Sequence, residues 1–164
     1  MSAQHKLELD QLTIVCGGQT GADRAALDWA LAHEVNCGGW CPKGRLAEDG
    51  PIDPRYPLKE TPSESYSERT EWNVRDSDAT VIFSIAPELT RGSKETLEFA
   101  RQHHKSCLHL HSGLPDGAGQ LRTFLEKNKV KVLNVAGPRN SQEPAVGAFV
   151  ERLLSETLGV SRPR

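Results

Sequence analysis

Two apolar runs that each end in a small-residue turn and open a helical pattern constrain this chain more than any other feature. Leu12-Thr13-Ile14-Val15-Cys16 stops at Gly17-Gly18-Gln19-Thr20-Gly21, and the run 79–85 leads into Thr90-Arg91-Gly92-Ser93. A continuous apolar run closed by glycine is the pattern of a strand buried on both faces. A strand that turns straight into a helix aims several backbone N–H groups at one spot, which suits a phosphate or another oxyanion. Two such spots in a chain of 164 residues point to a ligand with an extended anionic skeleton.

The rest of the chain repeats the alternation. A helix is expected over 22–33, with Ala26, Leu27, Ala30 and Leu31 on one face. A weak second strand, Gly38-Gly39-Trp40-Cys41, stops at Pro42, and a coil rich in Gly, Pro and charge follows over 43–57. A coil of that length in a compact domain is commonly functional or mobile. Residues 58–61 read as a short edge strand. A helix over 65–76 opens on the capping-box pattern Ser65-Tyr66-Ser67-Glu68. Then come a buried strand (79–85), a helix (93–104), a strand (107–110), a helix (118–128), a strand (130–135) and a closing helix to about 158, with Pro144 suited to its first turn. Strands alternating with helices imply a doubly wound, mostly parallel sheet of five to six strands with helices on both faces. Such a sheet binds ligands beyond its strand C-termini, where the winding reverses. The first strand and the strand at Ala79 are expected to flank that reversal, so both glycine turns face one crevice. Gly137 and Arg139, after the last strand, supply a third wall if that strand lies nearby.

Length fits a single domain over 1–164, with 1–10 as a polar, flexible tail. There are 20 basic and 22 acidic residues, a formal charge of −2, so no basic field calls for nucleic acid. No apolar run approaches the ~20 residues that cross a bilayer, and residues 1–10 lack the apolar core of a signal peptide. The expected setting is cytoplasmic. Four cysteines in an α/β pattern read as thiols rather than a disulfide framework, Cys16 and Cys107 as small buried hydrophobes.

The first turn has the chemistry of an anion cradle. Gly17, Gly18 and Gly21 permit close backbone approach, and Gln19 and Thr20 add an amide and a hydroxyl. Asp23 falls in the first helical turn, where the macrodipole favours a carboxylate. It would repel a phosphate unless it faces away or takes a hydrogen bond from a ligand hydroxyl. The turn lacks the Gly-x-Gly-x-x-Gly spacing, Trp40-Cys41-Pro42 stands where a ribose-binding acid would end the second strand, and no Gly-Lys-Ser/Thr is present. These departures argue against NAD enzymes and P-loop ATPases. In the second turn Arg91 can clamp a phosphate bidentately, beside Gly92, with Ser93 as N-cap and Thr96 one turn on. Lys43, Arg45 and Arg139 form a dispersed basic rim on loops. Arg69 and Asn73, four apart, share a helix face, a spacing usual for a surface pair. No Cys or His spacing completes a four-ligand zinc site.

Several segments in order resemble a known family: residues 17–28, Cys41-Pro42-Lys43-Gly44-Arg45 and its continuation to Gly50, Arg69-Thr70-Glu71-Trp72-Asn73-Val74, Arg91-Gly92-Ser93-Lys94-Glu95-Thr96, and Asn134-Val135-Ala136-Gly137-Pro138-Arg139. They are similar to the proteins named as molybdenum cofactor carriers, circularly permuted YpsA-like members of the SLOG superfamily. The lysine-decarboxylase-like (LOG) phosphoribohydrolases belong to the same superfamily. The resemblance implies a Rossmann-like SLOG-type domain, assembly into homo-dimers or tetramers, and binding of molybdenum cofactor, a pterin with a terminal phosphate. It implies carriage or storage without conversion, with molybdenum enzymes as acceptors. The metal arrives held by the cofactor's dithiolene, so no protein ligand to it is expected. Gln19 and Asn73 then serve the pterin, and the glycine turns the phosphate.

The enzyme relatives carry a Pro-Gly-Gly-x-Gly-Thr-x-x-Glu turn whose Glu assists cleavage of an N-glycosidic bond. Matching Thr96 to that Thr puts Phe99 at the Glu position, with Glu98 one residue away, about 100° around a helix. No catalytic residue is therefore assigned. A nucleoside 5'-monophosphate phosphoribohydrolase, or a sensor of a nucleotide-like ligand, is the competing expectation.

Overall fold

A computed structural model describes residues 9–159. The expected tail lies mostly outside the described residues, and Leu9–Gln11 forms a single 3-10 turn. In chain order follow β1 (Thr13–Val15), α1 (Ala22–Ala32), β2 (Asn36–Gly38), β3 (Trp40–Cys41), β4 (Leu46–Ala47), β5 (Gly50–Pro51), β6 (Lys59–Glu60) and α2 (Tyr66–Arg75). The second half runs β7 (Ala79–Ser84), α3 (Arg91–Gln102), β8 (Ser106–His111), α4 (Gly117–Lys127), β9 (Val132–Ala136) and α5 (Val146–Leu158).

The main sheet is parallel, five-stranded, in the order β2-β1-β9-β7-β8. The fold is thus α/β and Rossmann-like. The strands expected to flank the reversal, β1 and β7, stand on either side of β9, with Ile14 opposite Leu133 and Val81 opposite Val135. Strand adjacency is a long-range property that local periodicity does not carry. The consequence is functional, because the loop after β9 rises from the centre of the sheet's C-terminal edge. Alternation along β7 sorts the faces. Ala79, Val81 and Phe83 join Ile14, Leu133 and Val135 in a core against α1, α4 and α5. The opposite face, covered by α3 and its neighbour α2, receives the buried polar Thr80, Ser84 and Asn134. There the Asn134 amide donates to Thr80 Oγ1 at 3.1 Å.

Three local expectations change. The run 38–41 breaks into β2, in the main sheet, and β3, which pairs in parallel with β6 as a separate ribbon. Helix α3 starts at Arg91, so Thr90 rather than Ser93 is its N-cap. Ser65 does cap α2, accepting from the Glu68 amide at 3.2 Å, but the Glu68 carboxylate turns to Ser63.

The segment 43–57 is not a structureless coil. It holds the β4–β5 hairpin and seals a second core of Cys16, Leu27, Cys41, Ile52, Tyr56 and Leu58. Its organiser is Arg45. The guanidinium donates to the carbonyls of Ile52 (3.0 Å), Asp53 (2.8 Å), Tyr56 (2.9 Å) and Leu58 (3.3 Å). Side-chain-to-backbone ties of this kind leave no periodic signal. Arg45→Ala should therefore lower the urea midpoint at unchanged m, by about 2 kcal/mol, since hydrogen bonds to a charged group contribute roughly 1.5–3 kcal/mol and water replaces part of them. An unchanged midpoint would assign the clamp no energetic role.

Candidate functional site

The C-terminal ends of β1 and β9, the starts of α1 and α3, and α2 enclose a cleft with about 610 Å³ of empty space, part of it open to solvent. Eight of the residues expected at the site line it: Gly17, Gln19, Asn73, Gly92, Ser93, Thr96, Gly137 and Arg139. Asp23, Arg69, Thr70, Thr90, Asn134 and Gln142 line it as well.

The two helix starts differ. At α1 several of the amides are consumed within the protein. Asp23 Oδ2 accepts from the Gln19 amide at 3.3 Å, Gln19 Oε1 accepts from the Thr20 amide at 3.0 Å, and Pro138 O accepts from the Ala22 amide at 3.2 Å. The chain's own carboxylate sits where an external anion was expected. At α3, Thr90 makes no side-chain cap, and the first amide to return inward is that of Lys94, to Thr90 O at 2.8 Å. The preceding amides are the orphan donors of a helix start. An added Cβ on Gly92 would meet nothing within 4 Å, so the backbone there borders open space. The Ser93 hydroxyl accepts from Thr90 Oγ1 at 3.3 Å, and Thr96 Oγ1 donates to Gly92 O at 3.1 Å.

Arg69 and Asp23 form the cleft's charged pair, Nη1 to Oδ2 at 3.4 Å, with side chains 13% and 6% exposed. Burial pushes the Asp23 carboxyl up to about 6, although Arg69, the Gln19 and Gly17 amides and Arg24 pull the other way. The long single contact explains why burial prevails. Arg69 lies flat on Gly17, where any Cβ would collide with the guanidinium. Tyr66 gathers the cations: its ring centre lies 5.3 Å from Arg69 Cζ and 5.6 Å from Arg139 Cζ. Two buried donors, Gln19 Nε2 and Arg69 Nε, have no acceptor.

The remaining expected residues lie outside the cleft lining. Gly18 faces Leu58 and Ile52 of the second core. The Thr20 hydroxyl donates to Glu48 and accepts from the Asn140 amide. Gly21, at φ 83°, packs on the Pro138 carbonyl. Lys43 and Arg45 lie on the hairpin excursion outside the cleft lining, and Arg91 is exposed in the first turn of α3. Asn73 lines the cleft, yet its carboxamide pairs with Trp40 like a strand residue, Oδ1 accepting from the amide at 2.8 Å and Nδ2 donating to the carbonyl at 2.9 Å. Arg69 and Asn73 are no surface pair: Asn73 is buried and Arg69 reaches across to α1. Asn134, a polar residue inside an apolar strand run, was the available signal for the cleft floor.

Asp23 binds its proton more tightly folded than unfolded, where a carboxyl titrates at about 3.9. It therefore favours the folded state at low pH, and that contribution fades as pH rises from about 4 through about 6. Relative to Asp23→Asn, the parent should gain about 1–3 kcal/mol between neutral pH and about pH 4.5, read from urea midpoints. A pH-independent difference would show that Asp23 ionises normally.

A family model for the circularly permutated YpsA SLOG family matches residues 14–158. No curated protein matches the chain significantly. Among solved structures, a crystal structure from Syntrophus aciditrophicus SB, named there a "putative molybdenum carrier protein", is 44% identical with a TM-score of 0.87. The match covers 92% of this chain and 98% of that one. The chain therefore belongs to the circularly permutated YpsA SLOG family.

Proposed function

We propose that the cleft binds the molybdenum cofactor, a pterin with a terminal phosphate, and that the protein carries or stores it without chemical conversion. The observation that carries this reading is the uncapped start of α3 opening on the same cleft as Arg69 and Arg139. Orphan amides and guanidinium groups together suit a phosphate. Gln19 Nε2 and Arg69 Nε, buried donors without acceptors, fit a guest rich in oxygen and ring-nitrogen acceptors. The carrier name of the related structure agrees with this reading. The molybdenum arrives as part of the cargo, held by the pterin's dithiolene.

Hydrolysis of a nucleoside monophosphate has less support. Glu98, the carboxylate nearest in sequence to the enzymes' Glu position, is 57% exposed and pairs with Arg101 at 3.7 Å. Among the described residues lining the cleft, Asp23 is the one carboxylate, and it is tied to Arg69. General acid–base cleavage needs a carboxyl placed on the reacting atoms. No helix among the described residues is long and apolar enough to cross a membrane. The proposal extends to a cytoplasmic homo-oligomer that hands its cargo to molybdenum enzymes.

Titration calorimetry with intact cofactor should show a stoichiometric complex and recovery of unchanged cofactor. Arg139→Ala should cost about 1.5–3 kcal/mol of affinity, the range for a hydrogen bond to a charged group. Arg91→Ala, exposed and outside the cleft, should leave affinity unchanged. Absence of a complex, or release of free base from AMP, would overturn the carrier reading.

A further inference from the structure

We propose that Asp23 makes the cleft selective for an oxyanion that carries a proton, such as hydrogen phosphate, over one that carries none, such as sulfate or molybdate. This rests on reading the cleft as an anion site and specifies how that site chooses its guest.

Asp23 lines the cleft and is only 5% exposed. An ionised carboxylate offers about four acceptor positions and no donor. The Gln19 amide at 3.3 Å and Arg69 Nη1 at 3.4 Å, both on Oδ2, account for two of them. Neither donor reaches Oδ1, which leaves acceptor capacity on a side chain that lines the cleft. A fully deprotonated oxyanion brings acceptors only, so acceptor would face acceptor and like charge face like charge. A protonated oxyanion brings an O–H, and O–H···O⁻ is among the strongest hydrogen bonds available. The proton stays between the two oxygens, and no covalent bond is made or broken.

Two further features mark a guest at this point. Gln19 Nε2 and Arg69 Nε are buried donors in residues that line the cleft, and neither has an acceptor. The charged or titratable groups acting on Asp23 are Arg69 from α2, Arg24 from its own helix and the Cys16 thiol just after β1, while Arg139 lines the same cleft. Arg69 and Arg24 favour the ionised form, yet burial holds the carboxyl at about 6. Below that pH Asp23 carries its own proton and can donate to any oxyanion, so the discrimination fades. On this inference free molybdate is a poor guest of the cleft near neutral pH.

The test compares inorganic phosphate, sulfate and molybdate by titration calorimetry. At about pH 8, phosphate, which keeps one proton there, should bind the parent at least about tenfold tighter than sulfate or molybdate. The gap between phosphate and sulfate should close to about threefold below about pH 6. Asp23→Asn, which is uncharged, should bind phosphate and sulfate within about threefold of each other at either pH. Sulfate binding near neutrality should also take up a proton in the parent, read from heats in buffers of different ionisation enthalpy. That second readout holds even where the variant fails to fold. Equal affinities at about pH 8, sulfate or molybdate binding tighter, a preference that survives Asp23→Asn, or no proton uptake with sulfate would each overturn the inference and leave the anion site standing. Failure of all three anions to bind the parent would overturn the anion site and the inference with it.

Discussion

The ion pair between Asp23 and Arg69 holds the cleft together. A carboxylate in the first turn of α1 lies where the macrodipole favours negative charge, but its burial is expensive without surrounding donors. The Gln19 amide supplies one donor, and α2 supplies the guanidinium. That contact ties α2 to the start of α1 across the cleft. It also explains the shape of the turn, since Arg69 can reach Asp23 only by lying on Gly17, where a side chain would exclude it. Gly17, Asp23 and Arg69 are therefore a single unit drawn from two distant stretches of sequence. Removing one partner of such a buried pair leaves the other charge uncompensated.

The central position of β9 completes the unit. Because β9 lies between β1 and β7, its following loop carries Gly137 and Arg139 into the middle of the sheet's carboxyl edge. Tyr66, the first residue of α2, then lies within cation–π distance of both Arg139 and Arg69. The ring offsets part of the repulsion between two guanidinium groups. Asp23 neutralises only one of them, so positive charge is left in excess among these three side chains. The hairpin excursion closes the outer wall: the Glu48 carboxylate accepts from the hydroxyls of Thr20 and Ser141, and Arg24 joins Asp49 at 3.0 Å while donating to Gly18 O.

The alternation of strands and helices is legible in the sequence because periodicity and glycine stops are local signals. So is the presence at the cleft of Gly17, Gln19, Gly92 and Arg139, which stand in the loops and first helical turns that follow strands. What local pattern cannot carry is adjacency. The place of β9, the pairing of β3 with β6, and the reach of Arg69 to Asp23 all depend on contacts between remote segments. The same limit explains Arg45, which looks like a rim cation in the sequence yet spends its guanidinium on four loop carbonyls. Arg91 differs again: it follows a strand as expected, but its place in the first turn of α3 leaves it exposed.

The contrast between the two helix starts bears on what kind of work such a site can do. One start is filled by the protein's own carboxylate and the other is left open. A site built this way offers fixed donors to a bound anion in its ground state. Catalysis requires interactions that strengthen only as the transition state forms. The cleft's carboxylate is engaged by Arg69 and the Gln19 amide before any guest arrives, and on the proposed reading its proton balances charge beside the anion rather than serving a leaving group. On the proposed reading such ground-state complementarity suits a carrier, because its cargo must leave as it came.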